Sequence, residues 1–192
     1  STGFISVAEL RVHSIDLAVH DPVEIDVTAE GAIVARLFEL DPPQPQGLGN
    51  LDPETIRNGT TPPEGSDSAF TQFDTEHGGD QGATDWIGYT FGTPRTLTKL
   101  VFQEGRNQVT GGWFDSLAVE VLQAPGGAWV PVSGFTSTPP YTGALDPTHY
   151  QTFELAFDPV VASGVRIIGD PGGANDFISV GELRVFALAY DC

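Results

Sequence analysis

The sequence contains no methionine, one cysteine (Cys192) and one lysine (Lys99) among 192 residues. A single cysteine excludes an internal disulfide framework and a cysteine-rich zinc site. Positive charge is scarce in general, because 8 Lys and Arg stand against 26 Asp and Glu, which gives a net charge of −18. Such a charge repels phosphates and anionic bilayers, so we expect neither nucleic acid nor a membrane as a partner. The lack of methionine leads us to expect a mature product or an excised part of an exported protein.

Long apolar runs and helical periodicity are also missing, and two-residue alternation recurs instead. The 23 Gly and 15 Pro residues favour many turns between short strands. The alternation predicts strands at Val23–Thr28, Ala32–Glu39, Trp86–Phe91, Leu97–Gln103, Ser116–Gln123, Ala128–Val132, Thr152–Phe157, Val165–Gly169 and Ile178–Ala187. The fold class is therefore all-β, an antiparallel β-sandwich.

Turn chemistry refines this prediction at one hairpin and in two long loops. Pro125-Gly126-Gly127 predicts a tight turn between the strands on either side of it. Asp41–Asp85 and Thr136–His149 carry no strand signal. Loops of this length in a compact domain are usually functional or disordered, and we expect them to gather at one end of the sandwich.

One segment occurs twice. Phe4–Val12 (FISVAELRV) matches Phe177–Val185 (FISVGELRV) at every position except Ala8, where Gly181 stands in the second copy. Either residues 1–22 are the tail of a preceding tandem copy, or both copies serve one fold or one assembly. We therefore divide the chain into a segment at 1–22 and a sandwich domain at 23–192.

The second copy is also part of a wider resemblance. Gly173–Phe186 resembles the closing strand of the discoidin, or coagulation factor 5/8 type C, family. Asp85–Gly92, Lys99–Gln103, the hairpin Asp115–Val132 and Ser163–Gly169 resemble further strands of that family in the same order. The resemblance implies a galactose-binding-like jelly roll, of a type that in bacteria commonly serves as a carbohydrate-binding module of secreted proteins and often holds a structural calcium ion.

The calcium site implied by the resemblance combines a loop with the glutamate of the closing strand. That glutamate is Glu182, and the loop candidates are Arg57, Asn58, Asp67 and Ser68. Calcium prefers oxygen ligands from carboxylates and carbonyl groups. Asn58-Gly59 stands where the family usually has Asp-Gly, and Thr61 to Gly65 looks like an insertion. The alternative is that Glu182 pairs with an arginine and that the loop is merely polar.

Sugar-binding residues are expected in the long loops, since binding needs an aromatic surface and polar groups that bridge vicinal hydroxyls. The candidates in this sequence are Glu76, His77, Arg106, Asn107, Trp113, Tyr141 and Asn175. The alternative for Trp113 is a packed loop anchor, and the alternative for His77 is an ordinary exposed histidine. Trp86 and Trp129 lie in predicted strands and are expected in the core.

No catalytic motif stands out, since the sequence has no Gly-x-Ser-x-Gly, His-Glu-x-x-His or Gly-x-Gly-x-x-Gly pattern. Our hypothesis is a non-catalytic, extracellular carbohydrate-binding module of a secreted bacterial protein, with a structural calcium ion and a glycan as partner. The rival hypothesis is a structural or adhesive subunit of an extracellular layer or filament. In that case the strand at residues 4–12 joins a neighbouring copy of the chain by strand addition.

Overall fold

A computed structural model describes residues 21–36, 52–68, 71–76, 82–143 and 148–189. Nine strands form one curled antiparallel sheet in this part of the chain. They are β1 (Val23–Asp26), β2 (Ala32–Ala35), β3 (Phe73–Asp74), β4 (Asp85–Glu104), β5 (Ala118–Leu122), β6 (Trp129–Pro131), β7 (Thr136–Thr138), β8 (Thr152–Gly169) and β9 (Ser179–Ala189). Two 3₁₀ turns, Thr28–Glu30 and Pro53–Arg57, are the helical segments of the described residues.

Two long strands connect the two layers of the sandwich. The first half of β4 pairs with β2 and with the end of β8, and β8 there pairs with β5. The second half of β4 pairs with β9 and with the start of β8. The β4–β8 register shifts between Thr90 and Arg95, where both strands bend from one layer into the other. We call the end of the sandwich that holds this bend the bend end. The opposite end, where β4 and β8 each begin and finish, is the loop end.

The core lies between the two layers, and the predicted alternation accounts for it. In β9, Leu183, Val185 and Ala187 point inward and are at most 1% exposed. Burial of a Leu or Val side chain stabilises the fold by about 1.5–3 kcal/mol. The other fully buried core residues include Ile87, Tyr89, Leu97, Leu100, Leu155, Val165 and Ile167.

Trp86 and Trp129 lie outside this core, so that part of the sequence prediction was wrong. Both are half-buried on the outer face of the first layer, on either side of Arg166. The Arg166 guanidinium carbon lies 4.8 Å from the Trp86 ring centre and 4.6 Å from that of Trp129. Its Nη2 donates to Glu120 at 2.6 Å. The tryptophans therefore cover the sheet through cation–π contacts.

The hairpin prediction is confirmed, since β5 pairs with β6 and Gly126 has a φ of 73°. The predicted strands at Trp86–Phe91 and Leu97–Gln103 are one continuous strand, β4, and those at Thr152–Phe157 and Val165–Gly169 are also one, β8. Among the described residues, no helix has the length and apolar composition needed to cross a membrane. The repeated segment at residues 4–12 lies outside the described residues, as do most of the segment at 1–22, His77 and Cys192.

Candidate functional site

Three polar side chains meet on the surface at the loop end. The Arg106 Nε lies 2.7 Å from Asp67 Oδ1, and His149 Nε2 lies 3.9 Å from the same oxygen. The Asp67 side chain is 75% exposed, whereas those of Arg106 and His149 are 30% and 21% exposed. We call Asp67, Arg106 and His149 the Arg106 cluster. The cluster presents a cation, a carboxylate and an imidazole to solvent within a few ångströms of one another.

Buried groups hold the Arg106 cluster from beneath. The Arg106 backbone N–H donates to Gln72 Oε1 at 2.6 Å, and Gln72 in turn reaches Ser179 of β9. The Asn107 backbone N–H donates to His149 Nδ1 at 3.1 Å. Since this nitrogen accepts, a neutral His149 carries its proton on Nε2, which faces Asp67. The cluster is thus tied to β9 and to the loop after β4.

The predicted loop residues Asn107, Trp113 and Tyr141 lie mostly inside the loop end. Asn107 is 2% exposed, and its Nδ2 donates to Glu104 Oε2 at 3.1 Å. Trp113 is 7% exposed, and its Nε1 donates to Asp115 Oδ1 at 2.9 Å. The Tyr141 hydroxyl accepts from Phe114 N–H at 2.9 Å and donates to Glu104. Burial raises the pKa of Tyr141, so its hydroxyl remains a donor at neutral pH.

These contacts favour the packed-anchor interpretation of Trp113. A side chain at Gly172 would come within 2.1 Å of Trp113 Nε1, so the indole lies directly on the backbone there. The Tyr141 ring packs against Phe153, with ring centres 4.9 Å apart. The two aromatic residues therefore hold the loops in place.

Two further predicted residues, Glu76 and Asn175, lie in contact. Asn175 Nδ2 donates to Glu76 Oε1 at 2.8 Å, and the Asn175 N–H donates to the Thr110 carbonyl at 2.8 Å. Nearby Asp74 is 4% exposed, and its Oδ1 has no hydrogen-bond partner. Burial, with Glu76 adding to it, raises the pKa of Asp74 to about 7. These acidic groups lie beside β3 at the loop end.

The predicted calcium ligands divide into two places. The Gly59 N–H donates to the Glu182 carboxylate, which brings the Asn58 loop next to β9. Asp67, in contrast, lies in the Arg106 cluster. Ser68 uses its carbonyl oxygen to accept from the Tyr150 hydroxyl. The Arg57 side chain pairs with Glu54 at 2.7 Å, and a guanidinium cannot ligate a cation, so only its carbonyl oxygen qualifies.

Glu182 itself has the character expected of a cation ligand. It is 4% exposed, and its Oε2 lacks a hydrogen-bond partner. Burial raises its pKa to about 7, although the Gly59 N–H and Arg184 favour the charged form. Among the described residues, no group of three or more His, Cys, Asp or Glu side chains is placed to hold a metal ion. Calcium at Glu182 would therefore need backbone carbonyl oxygens and the Asn58 side chain as its further ligands.

Sequence reasoning placed His149 in a candidate loop but did not select it as a site residue. Its neighbours in the chain carry no motif, and its role depends on Asp67 and Asn107, which are 82 and 42 positions away. The only local signal was an aromatic pair, His149-Tyr150, that follows a Pro-rich loop. Contacts across such distances in sequence are invisible to spacing arguments.

Comparisons with known proteins give structural neighbours. No family model matches the sequence, and no curated protein sequence matches it. The family 32 carbohydrate-binding module of NanJ from C. perfringens, solved in complex with galactose, is 16% identical, with a TM-score of 0.56 over 85% of this chain and 99% of that chain. CpGH89CBM32-5 from Clostridium perfringens, in complex with GalNAc-β-1,3-galactose, is 17% identical, with a TM-score of 0.59 over 85% of this chain and 100% of that chain.

A third neighbour comes from an enzyme of another source. Chitosan-binding module 1 of a chitosanase/glucanase from Paenibacillus sp. IK-5 is 16% identical, with a TM-score of 0.51 over 84% of this chain and 98% of that chain. The alignment with this chain spans almost the whole length of each of these three neighbours. At these identities the likeness concerns the fold, and the chain therefore has the galactose-binding-like, discoidin-type β-sandwich fold of the family 32 carbohydrate-binding modules.

Proposed function

We propose that the chain is a non-catalytic, extracellular carbohydrate-binding module that takes its glycan at the loop end. The Arg106 cluster carries the proposal, because it is a polar group that reaches the surface through Asp67 and is held by buried contacts. The neighbours solved with galactose and with GalNAc-β-1,3-galactose support a glycan as the ligand class. The chitosanase/glucanase module supports a role as an accessory to an enzyme.

The chemistry of the Arg106 cluster suits vicinal hydroxyl groups. Each sugar hydroxyl donates one hydrogen bond and accepts others, so a pair of them needs both donors and acceptors. Arg106 and the His149 Nε2–H donate, and Asp67 accepts. The Asp67 side chain is 75% exposed, so it can turn from Arg106 towards a ligand at little cost, because an ion pair with an exposed partner contributes only about 0–1 kcal/mol.

The test is a glycan array in calcium-containing buffer, followed by calorimetry on any glycan that binds. Galactose- and N-acetylgalactosamine-terminated probes are the first to examine. R106A should weaken binding at least about tenfold, because each hydrogen bond to a charged group contributes about 1.5–3 kcal/mol. R95A is the matched control, since Arg95 pairs with Glu30 at the bend end.

The outcome decides between the two functional classes. Binding that R106A removes and R95A leaves intact supports the Arg106 cluster. Binding that survives R106A would place the glycan elsewhere on the molecule. A blank array with folded protein would overturn the carbohydrate-binding function itself.

A structural calcium ion belongs to the same proposal. Glu182, with its unpartnered oxygen, would supply the carboxylate, and the Asn58 loop would supply neutral oxygens. Calcium would bind the loop of residues 57–60 to β9 and so fix the segment that leads to Asp67. The ion would act on stability and loop order and would not take part in chemistry.

The rival hypothesis of a structural subunit has one supporting observation. Edge strand β1 exposes Val23 and Ile25 at 50% and 38%. Exposed apolar edge strands invite pairing with another chain. However, the position that Phe4–Val12 would take in a neighbour is filled by that neighbour's own β9, so exchange gains no contacts. Light scattering separates the two hypotheses, because a molecular mass equal to that of the monomer at every concentration would rule out a polymer.

A further inference from the structure

A pocket at the loop end of the second layer contains two buried oxygen atoms without hydrogen-bond partners. It has a volume of about 360 Å³ and lies between β4, β8, β9 and residues 61–63. Gln103 of β4 and Glu182 of β9 stand directly opposite each other, and both line the pocket. They are 5% and 4% exposed, and Gln103 Oε1 and Glu182 Oε2 each lack a partner. Because buried polar atoms without partners destabilise a fold, two of them in one pocket point to a ligand that satisfies both.

The chemistry of the two oxygens fits a cation. The Gln103 carboxamide cannot turn its NH₂ group into the pocket, because Nε2 donates to the Pro62 carbonyl at 3.0 Å and to the Tyr150 carbonyl at 3.2 Å. Its Oε1 is therefore fixed as an acceptor. Side chains directly opposite each other on neighbouring antiparallel strands have Cβ atoms about 4.5–5.5 Å apart, so one ion can reach both oxygens. Carboxylate and amide oxygens are ligands that calcium prefers.

Arg184 lines the same pocket but does not neutralise this pair of oxygens. Its guanidinium carbon lies 5.6 Å from the Phe186 ring centre, in a cation–π contact further along β9. In the part of the chain that the structure describes, Glu182 Oε2 has no partner, Arg184 included. The sequence alternative of a Glu182–arginine pair is therefore not formed, and the carboxylate is left to a ligand.

Gln103 also connects this pocket to the Arg106 cluster. The Tyr150 carbonyl, which accepts from Gln103 Nε2, belongs to the residue that directly follows His149. The His149 carbonyl accepts from the Gly65 N–H at 2.7 Å, two residues before Asp67. A single carboxamide thus has its oxygen in the pocket and its nitrogen on the backbone that carries His149.

Tyr150 makes this connection sensitive to its contacts. Its φ is 62°, a left-handed conformation that a bulky side chain adopts only where its surroundings impose it. Its N–H donates to the Gly105 carbonyl at 3.1 Å, and its hydroxyl donates to the Ser68 carbonyl next to Asp67. The Gln103 contact is one of the bonds that impose this conformation. Loss of that contact would let the backbone relax and shift His149 relative to Asp67.

We infer that Gln103 is a positioning residue through which a calcium ion in this pocket holds His149 in place within the Arg106 cluster. Gln103 Oε1 binds the ion together with Glu182, in addition to the Asn58 loop. A cation on the carboxamide oxygen strengthens the N–H bonds on its other side, because neighbouring polar contacts polarise one another. The inference rests on the proposed calcium ion and extends it, since the ion then acts on the proposed glycan site as well as on stability. Such coupling is reciprocal, so a ligand that orders the Arg106 cluster also tightens calcium binding.

The first test is calorimetry of the full chain with calcium chloride. Q103L should weaken calcium binding at least about tenfold, since loss of even a group that supports a metal ligand typically costs about 10–100-fold. Q103E keeps an oxygen for the ion and adds a charge, so it should bind calcium at least as tightly as the parent chain. Q108L is the matched control, because Gln108 is exposed at the tip of the loop after β4, and it should bind calcium as the parent chain does.

The second test follows hydrogen exchange of the Tyr150 and Asn107 amides by NMR. These amides donate to Gly105 and to His149 Nδ1, so they report on the cluster directly. Calcium should slow their exchange at least about tenfold in the parent chain and in Q108L. It should not do so in Q103E, which binds the ion but cannot donate to the Tyr150 carbonyl. A global gain in stability would appear in Q103E too, so this variant isolates the local effect.

Two results would overturn the inference. Calcium affinity of Q103L equal to that of the parent chain would show that Gln103 is not a ligand. Equal slowing of exchange in Q103E and the parent chain would show that it does not connect the ion to His149, and this second comparison decides the question even if Q103L fails to fold. A parent chain that binds no calcium would overturn the calcium proposal along with the inference, whereas the glycan array tests carbohydrate binding on its own.

Discussion

Trp113 shows how a single buried residue can hold a loop surface in place. Its indole lies on the backbone at Gly172, and its N–H orients Asp115. Removal of a buried aromatic side chain leaves a cavity that the surrounding chain fills only in part. The residue therefore contributes first to the stability of the loop end, where it also orients the Asp115 carboxylate.

W113A should lower the free energy of unfolding by about 3–5 kcal/mol, the range for Trp or Phe to Ala in a core. Urea denaturation followed by circular dichroism measures this change. R106A is the comparison, because the Arg106 side chain is partly exposed and pairs with an exposed carboxylate, so its loss should lower stability much less than W113A does. If W113A abolished glycan binding while its denaturation midpoint stayed unchanged, Trp113 would be a direct ligand contact instead.

At the scale of elements, β4 depends on close backbone approach at one glycine. A side chain carbon at Gly88 would lie 2.1 Å from the Val165 carbonyl oxygen of β8 and 2.7 Å from Arg166 Cβ. A clash with backbone cannot be relieved by a rotamer change, so the two strands would have to separate. Gly92, in the same strand at the bend, has open space around the equivalent position.

This contrast gives a matched pair of variants in one strand. G88A should destabilise the fold by several kcal/mol or prevent folding, since overpacking commonly costs about 1–3 kcal/mol even against movable side chains. G92A should be neutral or slightly stabilising, because it lowers the entropy of the unfolded chain, an effect of about 0.4–1 kcal/mol. Thermal melts of both variants measure the difference. Equal melting temperatures would mean that the strands tolerate separation at Gly88.

The strands were predictable to the extent that one face of each is buried. In β9, the alternation of Leu183 and Val185 with Glu182 and Arg184 is visible in the sequence because the core is apolar and the opposite face is polar. The continuity of β4 through Gly92-Thr93-Pro94 was not predictable, because Gly and Pro usually end a strand. Here they mark the bend between the two layers. Strands β3 and β7 are too short to show any period.

The site was predictable as a set of loops but not as a set of contacts. Arg106 stands out in its loop by its charge, yet its partner Asp67 belongs to a segment assigned to calcium on resemblance. Trp113 and Tyr141 look like sugar platforms in sequence, since exposure cannot be read from residue type. Only the fold shows that the Trp113 indole and the Tyr141 hydroxyl are held within the loop end, while Asp67 of the Arg106 cluster faces solvent.

At the scale of the whole molecule, a carboxylate with an unpartnered oxygen links a loop to the central strand of the second layer. Glu182 has the Gly59 N–H on one side, and its Oε2 is left without a partner. A buried charge without full compensation destabilises a fold. A calcium ion that binds the folded chain alone would reverse this effect by mass action.

We therefore expect calcium to raise the melting temperature above that measured in EDTA. At a calcium concentration of about 100 times Kd, the stabilisation is about 2.7 kcal/mol, which corresponds to about 5–10 °C for a chain of this length. E182Q should lose this shift and, in EDTA, should melt no lower than the parent chain, because it removes a buried charge without changing the shape of the side chain. E30Q, at the bend end where Glu30 pairs with Arg95, should keep the full calcium shift. Identical melting temperatures of the parent chain in calcium and in EDTA would rule out a bound calcium ion. Glu182 would then be a buried carboxylate that the fold tolerates through Gly59 and Arg184 alone.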